Sequence, residues 1–326
     1  MSKKKEDGYQ PEPVVHPSLG RKMQEVNLKS MEEEIAIIAA GDFHIGSSSC
    51  NIPALKEFVR QVVRQAETHQ VFLIGMGDIF DCITPKDKRH CTNSVDPMAN
   101  TLDKAVKVFR EIFDPLLSTR KVTWVGSLIG NHELKCNGGE TDMIERLAET
   151  CRIEHLGMKC FIFFDFKYRG QPLLNAKGKP VILRTVAFHG CKNSRLPQGR
   201  YRIMREFLKE NQFVLDDEKK NLDVIKTCQV ALMGHTHDVR VDVERAIVPH
   251  PRRGSFRTLT QYACNTGTFM DTASFKTNNY ATAGGYQPTS VGYIRILVSR
   301  TNGLKVEAML NSGLNPDVTD LPWDQV

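Results

Sequence analysis

Residues 35–44 read IAIIAAGDFH: six apolar residues closed by Gly41, then Asp42-Phe43-His44. An unbroken apolar run of that length, bounded by a glycine, is the pattern of a strand buried on both faces. The same construction recurs four times downstream. Val71–Ile74 leads to Gly77-Asp78, and Val122–Val125 leads to Gly130-Asn131-His132-Glu133. Val181–Phe188 leads to His189-Gly190, and Val230–Met233 to Gly234-His235-Thr236-His237. Strand ends that converge at one edge of a sheet are where α/β proteins build their sites. Oxygen and imidazole donors gathered there suit borderline divalent metals such as Mn, Fe, Zn or Co, and are too nitrogen-rich for a Ca or Mg cage. Two aspartates, one asparagine and at least four histidines, with one carboxylate shared, are enough for a two-metal site of the kind that performs phosphoryl chemistry.

The ordered set, D-x-H, GD, GNH-(D/E), a lone His and GH-x-H, resembles the signature of the calcineurin-like metallophosphoesterase superfamily. The resemblance spans Ile35 to about His237, and the later Asn265-Thr266-Gly267 resembles the N-x-G turn that often follows in that family. It implies an α/β fold: a four-layer α-β-β-α sandwich of two mixed sheets flanked by helices. It also implies two divalent metal ions, with Mn expected and Fe, Zn, Co or Ni as alternatives. Carried over position by position, Asp42, His44 and His237 hold one metal, Asn131, His189 and His235 hold the other, and Asp78 bridges them. Two carboxylates among neutral ligands leave such a pair cationic, able to bind phosphate oxygens and to acidify a bridging water. His132, the immediate neighbour of Asn131, does not easily reach the same metal. In the resembled family this histidine meets the phosphate and leaving group, so the expected catalytic set is His132, as general acid or hydrogen-bond donor, with Asn131 and Asp78. Asp81, Glu133 and Asp238 are either partners that orient imidazoles or simply turn acids. Cys82, His90 and Cys91 lack a fourth ligand at zinc-site spacing.

Composition sets broader bounds. The chain has 326 residues, 40% hydrophobic and 25% charged, with a net charge of +6. That is an ordinary globular chain, compatible with a polyanionic substrate without demanding one. Nine cysteines without C-x-x-C pairs point to reduced thiols. The charged start, Met1 to Gln10, lacks the apolar stretch of a secretory signal, and no apolar run approaches a membrane span. The expectation is an intracellular, cytoplasmic protein with no membrane partner and no protein partner implied. The Gly77–Asp81 to Lys86–Arg89 stretch also resembles metallophosphoesterases found in phage genomes, so a phage-encoded member is one option.

The polar, proline-bearing residues 1–30 read as a flexible arm, and 31–326 as a single domain. Leu55, Phe58, Val59, Val62, Val63 and Ala66 share one helical face, as do Met98, Leu102, Ala105, Val106, Phe109, Phe113 and Leu116. Shorter helices are predicted over Thr141–Thr150 and Gln198–Asn211. Phe161–Tyr168 and Val181–Phe188 form an expected antiparallel pair, and the chain closes on strands at Val291–Val298 and Lys305–Leu310.

Basic residues recur in the loops beside the motifs. Lys192, Arg195 and Arg200 follow His189 and are the expected substrate contacts, whereas Arg202, Arg205 and Lys209 fall on the polar face of the following helix. The insertion Thr84–Pro97, with Lys86, Lys88, Arg89 and His90, and the pair Arg252-Arg253 are further candidates for the rim. The function expected is a binuclear metal-dependent phosphoesterase with a metal-activated water as nucleophile, acting as a phosphodiesterase or nuclease on DNA, RNA or nucleotides. The alternatives are a phosphomonoesterase or nucleotide diphosphohydrolase and, in a different class, a non-catalytic metal-binding scaffold. Against a protein phosphatase, Asp81 is followed by Cys82 and Ile83 rather than Arg-Gly. Against a scaffold, the ligand set is complete and His132 is present.

Overall fold

The computed structural model describes residues 20–81, 96, 99, 101–136, 147, 149–175, 178–190, 199, 202–203, 206, 228–249, 256–271, 290–310 and 318–321. Two mixed β-sheets lie face to face. One runs β13(Val318–Leu321), β12(Gly303–Leu310), β11(Gly292–Ser299), β2(Ile35–Ala40), β3(Gln70–Gly75) and β4(Val122–Ser127), with β2, β3 and β4 parallel and the others antiparallel. The other runs β1(Gly20–Leu28), β5(Lys159–Tyr168), β7(Ile182–Phe188), β8(Val230–Met233), β10(Phe256–Thr266) and β9(Val239–Pro249), with the short β6(Gln171–Pro172) beside β5. The five apolar runs that precede the motifs are thus β2, β3, β4, β7 and β8.

The sheets stack because their strands have two kinds of apolar face. Ile35, Ile37 and Ala39 of β2 face inward, into a core shared with Ile162, Phe164 and Phe166 of β5 and Ile294 and Ile296 of β11. Ala36, Ile38 and Ala40 face outward and are covered by α1(Ile52–Thr68) and α2(Leu102–Leu117), through Phe58, Val62, Phe109 and Phe113. Burial on both faces explains why β2 reads as an unbroken apolar run rather than an alternation. Asn51 caps α1 by accepting from the Ala54 N–H at 3.0 Å, and Thr101 caps α2. On the far face of the other sheet, Val186, Ala231, Met233 and Ala263 form a smaller cluster against which Ile203 packs. Gly199, Arg202, Ile203 and Glu206 are helical, within the predicted Gln198–Asn211 segment. Among the described residues no helix is long and apolar enough to cross a membrane.

Two expectations are corrected. The arm predicted over residues 1–30 is a strand from Gly20 onward: β1 lies parallel to β5 at the sheet edge, with Val26 and Leu28 in the core. Its outward face carries Arg21, over the Phe163 ring at 5.3 Å, and Glu25, paired with Lys167, while Lys22 on the other face pairs with Glu154. Charged edge strands of this kind resist pairing with another chain, and they also hide the strand from a reading based on hydrophobicity. The short helix α3(Asn131–Cys136), which begins within a motif, is likewise absent from the sequence reading.

Candidate metal centre

The parallel strands point their carboxyl ends to one edge, and the five motifs meet there. The segments after β2 and β3 stay zipped beyond the sheet: Asp42 N–H donates to Gly77 O at 2.8 Å, His44 N–H to Asp78 O at 3.0 Å and Ile45 N–H to Ile79 O at 2.9 Å. From the opposite side, the Thr268 hydroxyl and Phe269 N–H donate to Asp42 O at 2.9 and 3.0 Å, so the turn after Asn265 braces the first motif. Asp42, His44, Asp78, His235 and His237 all have positive φ, between 48° and 66°. Aspartate and histidine tolerate this left-handed region better than most residues, and strained backbone of this sort concentrates at functional sites. Gly130 permits the closest approach: a Cβ there would lie 2.0 Å from Asp78 Oδ1.

The side chains form three overlapping groups, Asp42–His44–His237, His44–Asp78–His132 and Asp78–His189–His235, in each of which the candidate donor atoms lie within 4.8 Å of one another. His237 Nε2 is 3.1 Å from Asp42 Oδ1 and 3.2 Å from His44 Nε2. His189 Nε2 is 3.2 Å from Asp78 Oδ2 and 3.1 Å from Asn131 Oδ1. The structure therefore brings together all seven residues expected as ligands, with Asp78 between the two sets. His132 lies in the same place, its Nε2 3.9 Å from Asp78 Oδ2.

Neighbouring groups settle which ring nitrogens face the cluster. His189 Nδ1–H donates to Met76 O at 2.7 Å, and His132 Nδ1–H to Asp81 O at 2.7 Å. Asp81 Oδ1 is 3.1 Å from both His44 Nδ1 and His132 Nδ1. Asp81 is thus the imidazole-orienting partner that the sequence left as one of two options, and it serves two rings at once. Glu133 does something the sequence did not suggest: it accepts the N–H groups of Gly130, Asp78 and Phe80 at 2.8, 3.1 and 3.0 Å. For Asp238 the bond described is through the backbone, its carbonyl accepting from Gly267 N–H at 3.1 Å.

The residues present fit a pair of cations. Asp42 Oδ1 and Asp78 Oδ2 are buried and accept no hydrogen bond, a costly state for carboxylate oxygens unless positive charge lies beside them. In the protein without metal, protonated imidazoles supply that charge. Burial would raise Asp42, but the adjacent His237 and His44 outweigh it and hold its carboxyl well below the usual range. Burial opposes charge on Asp78 too, and His189 and His132 hold it far down. Burial should lower His44, yet Asp42 and Asp81 push it up to about 10. Burial should lower His189 as well, and Asp78 carries it up to about 10. Burial, then the charge of His189, brings His235 down to about 4. Burial also lowers His237. His235 is thus neutral and ready to donate a lone pair.

Other sequence expectations fall elsewhere. Lys192, Arg195, Arg200, Cys82, residues 84–95 and Arg252-Arg253 lie outside the described residues.

The sequence model of a family described as calcineurin-like phosphoesterase matches residues 35–239. No curated protein matches the chain. Similar solved structures include GAP50, the anchor in the inner membrane complex of Plasmodium, at 9% identity, 89% coverage of each chain and a TM-score of 0.42. Another is the cold-active protein-tyrosine phosphatase of a psychrophile, Shewanella sp., at 10% identity over 93% of this chain and 82% of that chain, with a TM-score of 0.31.

The charge balance predicts a proton count. His44 and His189 have pKa values raised from 6.5 to about 10, so their contribution to metal-free stability is full below 6.5 and is lost as pH rises through about 10. A metal must displace both protons. Loading metal-free protein at pH 8 should release one proton from each imidazole, seen as a calorimetric heat that varies with the buffer's ionisation enthalpy. A buffer-independent heat contradicts this charge assignment.

Proposed function

The chain belongs to the calcineurin-like phosphoesterases, a family of metal-dependent hydrolases of phosphoric esters, and on that premise we propose that it is a binuclear phosphodiesterase or nuclease acting on nucleic acid or nucleotides. Asp42, His44 and His237 would hold one divalent ion, Asn131, His189 and His235 the other, and Asp78 both, with manganese as the native ion. Bound there, the ions supply Lewis-acid chemistry, drawing charge from phosphoryl oxygens and lowering the pKa of water.

The observation that carries the reading is the setting of His132. Its Nδ1–H is held by the Asp81 carbonyl at 2.7 Å, and the Asp81 carboxylate lies 3.1 Å away. That arrangement fixes the ring and leaves Nε2 to face the centre beside Asp78. From there Nε2 is the group that would give a hydrogen bond or a proton to a departing alkoxide. Asp81 ties the same geometry to the first metal position, because it also holds His44 Nδ1 at 3.1 Å. Support for a nucleic-acid substrate comes from the sequence: Lys192, Arg195 and Arg200 follow directly on His189, where cationic side chains would meet flanking phosphates.

Two experiments test the two halves. Loss of a general acid typically costs about a hundred- to ten-thousand-fold, and matters least when the leaving group is already acidic. His132→Ala should keep both metals, lose most activity on nucleotide diesters and retain far more on nitrophenyl esters. An equal drop on both with metals intact removes His132 from that role. For the substrate, replacing Lys192, Arg195 and Arg200 with Ala should raise KM on oligonucleotides and flatten its salt dependence, while turnover of a small aryl diester barely changes. A wild-type preference for monoesters would make it a phosphatase instead.

A further inference from the structure

Glu133 contributes to neither group of metal ligands and touches no imidazole through a hydrogen bond, yet it is a wholly buried carboxylate. Its two oxygens take three backbone N–H groups from two loops. Oε2 accepts from Gly130 at 2.8 Å and Asp78 at 3.1 Å, and Oε1 accepts from Phe80 at 3.0 Å. The reverse bond is also present: His132 N–H donates to Asp78 Oδ1 at 2.9 Å. Each loop therefore binds the backbone of the other through its carboxylate, and the two bonds close a ring around Asp78, Gly130, His132 and Glu133.

We infer that Glu133 is a positioning residue that holds Asp78 at a fixed distance from Asn131 and His132, and so governs occupancy of one metal position more than the other. This rests on the reading above in which Asp78 bridges two ions. Asp78 has φ 48°, and a non-glycine residue persists there only where its surroundings over-determine it. Glu133 does this by fixing the amide of Asp78 and that of Phe80, two residues on. The ligands it stabilises, Asp78 and Asn131, both serve the position completed by His189 and His235. Asp42, His44 and His237 receive no hydrogen bond from it, so the position they form depends on Glu133 only indirectly, through Asp78 and the Asp78 and Ile79 carbonyls that pair with His44 and Ile45. All three contacts to Glu133 come from donors, so Glu133→Gln would turn an NH2 group toward an N–H and push the loops apart.

The test is a titration of manganese into metal-free wild type and E133Q, followed by calorimetry, with bound metal counted by mass spectrometry. Loss of a partner in the outer shell of a metal site typically costs about ten- to a hundred-fold in affinity. E133Q should lose that much for one ion and much less for the other, with activity restored by excess manganese. Two ions bound at wild-type affinities overturn the clamp, as does an equal loss for both, which is what a merely structural residue would give. A wild-type chain that takes up fewer than two ions overturns the bridging reading and the clamp with it. Should E133Q fail to fold, hydrogen exchange on the wild type decides. The amides of Asp78, Phe80 and Gly130 should be protected as strongly as those of β2 and β3, and rapid exchange at these amides overturns the clamp.

Discussion

A carboxylate taken out of water must be met by positive charge or by hydrogen-bond donors, and Asp78 is the point at which this requirement binds the molecule together. It is 1% exposed, one oxygen is held by the His132 amide, and the other accepts nothing. Around that free oxygen stand His189, His44 and His132 at 3.2, 3.9 and 3.9 Å, drawn from three different strand ends. No single loop could assemble that shell. It exists because β2, β3 and β4 are parallel neighbours in one sheet and β7, β8 and β10 are parallel neighbours in the other, so their carboxyl ends meet at one edge. The core between the sheets sets where the two halves of the shell lie, and the left-handed loop residues set how they aim.

Asp81 extends the same constraint into chemistry. A single carboxylate holds Nδ1 of His44, a candidate ligand, and lies against Nδ1 of His132, the candidate acid. Geometry at one metal position and proton supply to the leaving group are therefore coupled through three atoms. Rotation of either ring would disturb the partner of the other.

Much of this was legible in the sequence because the information is local. Strands buried on both faces read as continuous apolar runs, and each motif follows its strand within a few residues, so the five motif-bearing strands could be read without a third dimension, while the seven-residue set came from the family resemblance. What could not be read was carried by long-range contact. β1 has charged outward positions and only a few apolar anchors, so GRKMQEVNL resembles a polar arm until Val26 and Leu28 are seen against β5. Asp81 and Glu133 are both acids next to motifs, and only their partners distinguish a carboxylate that orients two rings from one that binds three amides.

The central claim is that Asp78 stands between two metal positions with unlike partners. Anomalous diffraction at the manganese edge, from crystals of protein loaded with Mn, tests it most directly. The account predicts two peaks flanking the Asp78 carboxylate, one bordered by Asp42, His44 and His237 and the other by Asn131, His189 and His235. A single peak, or a second ion ligated by His132 in place of Asn131, would contradict it.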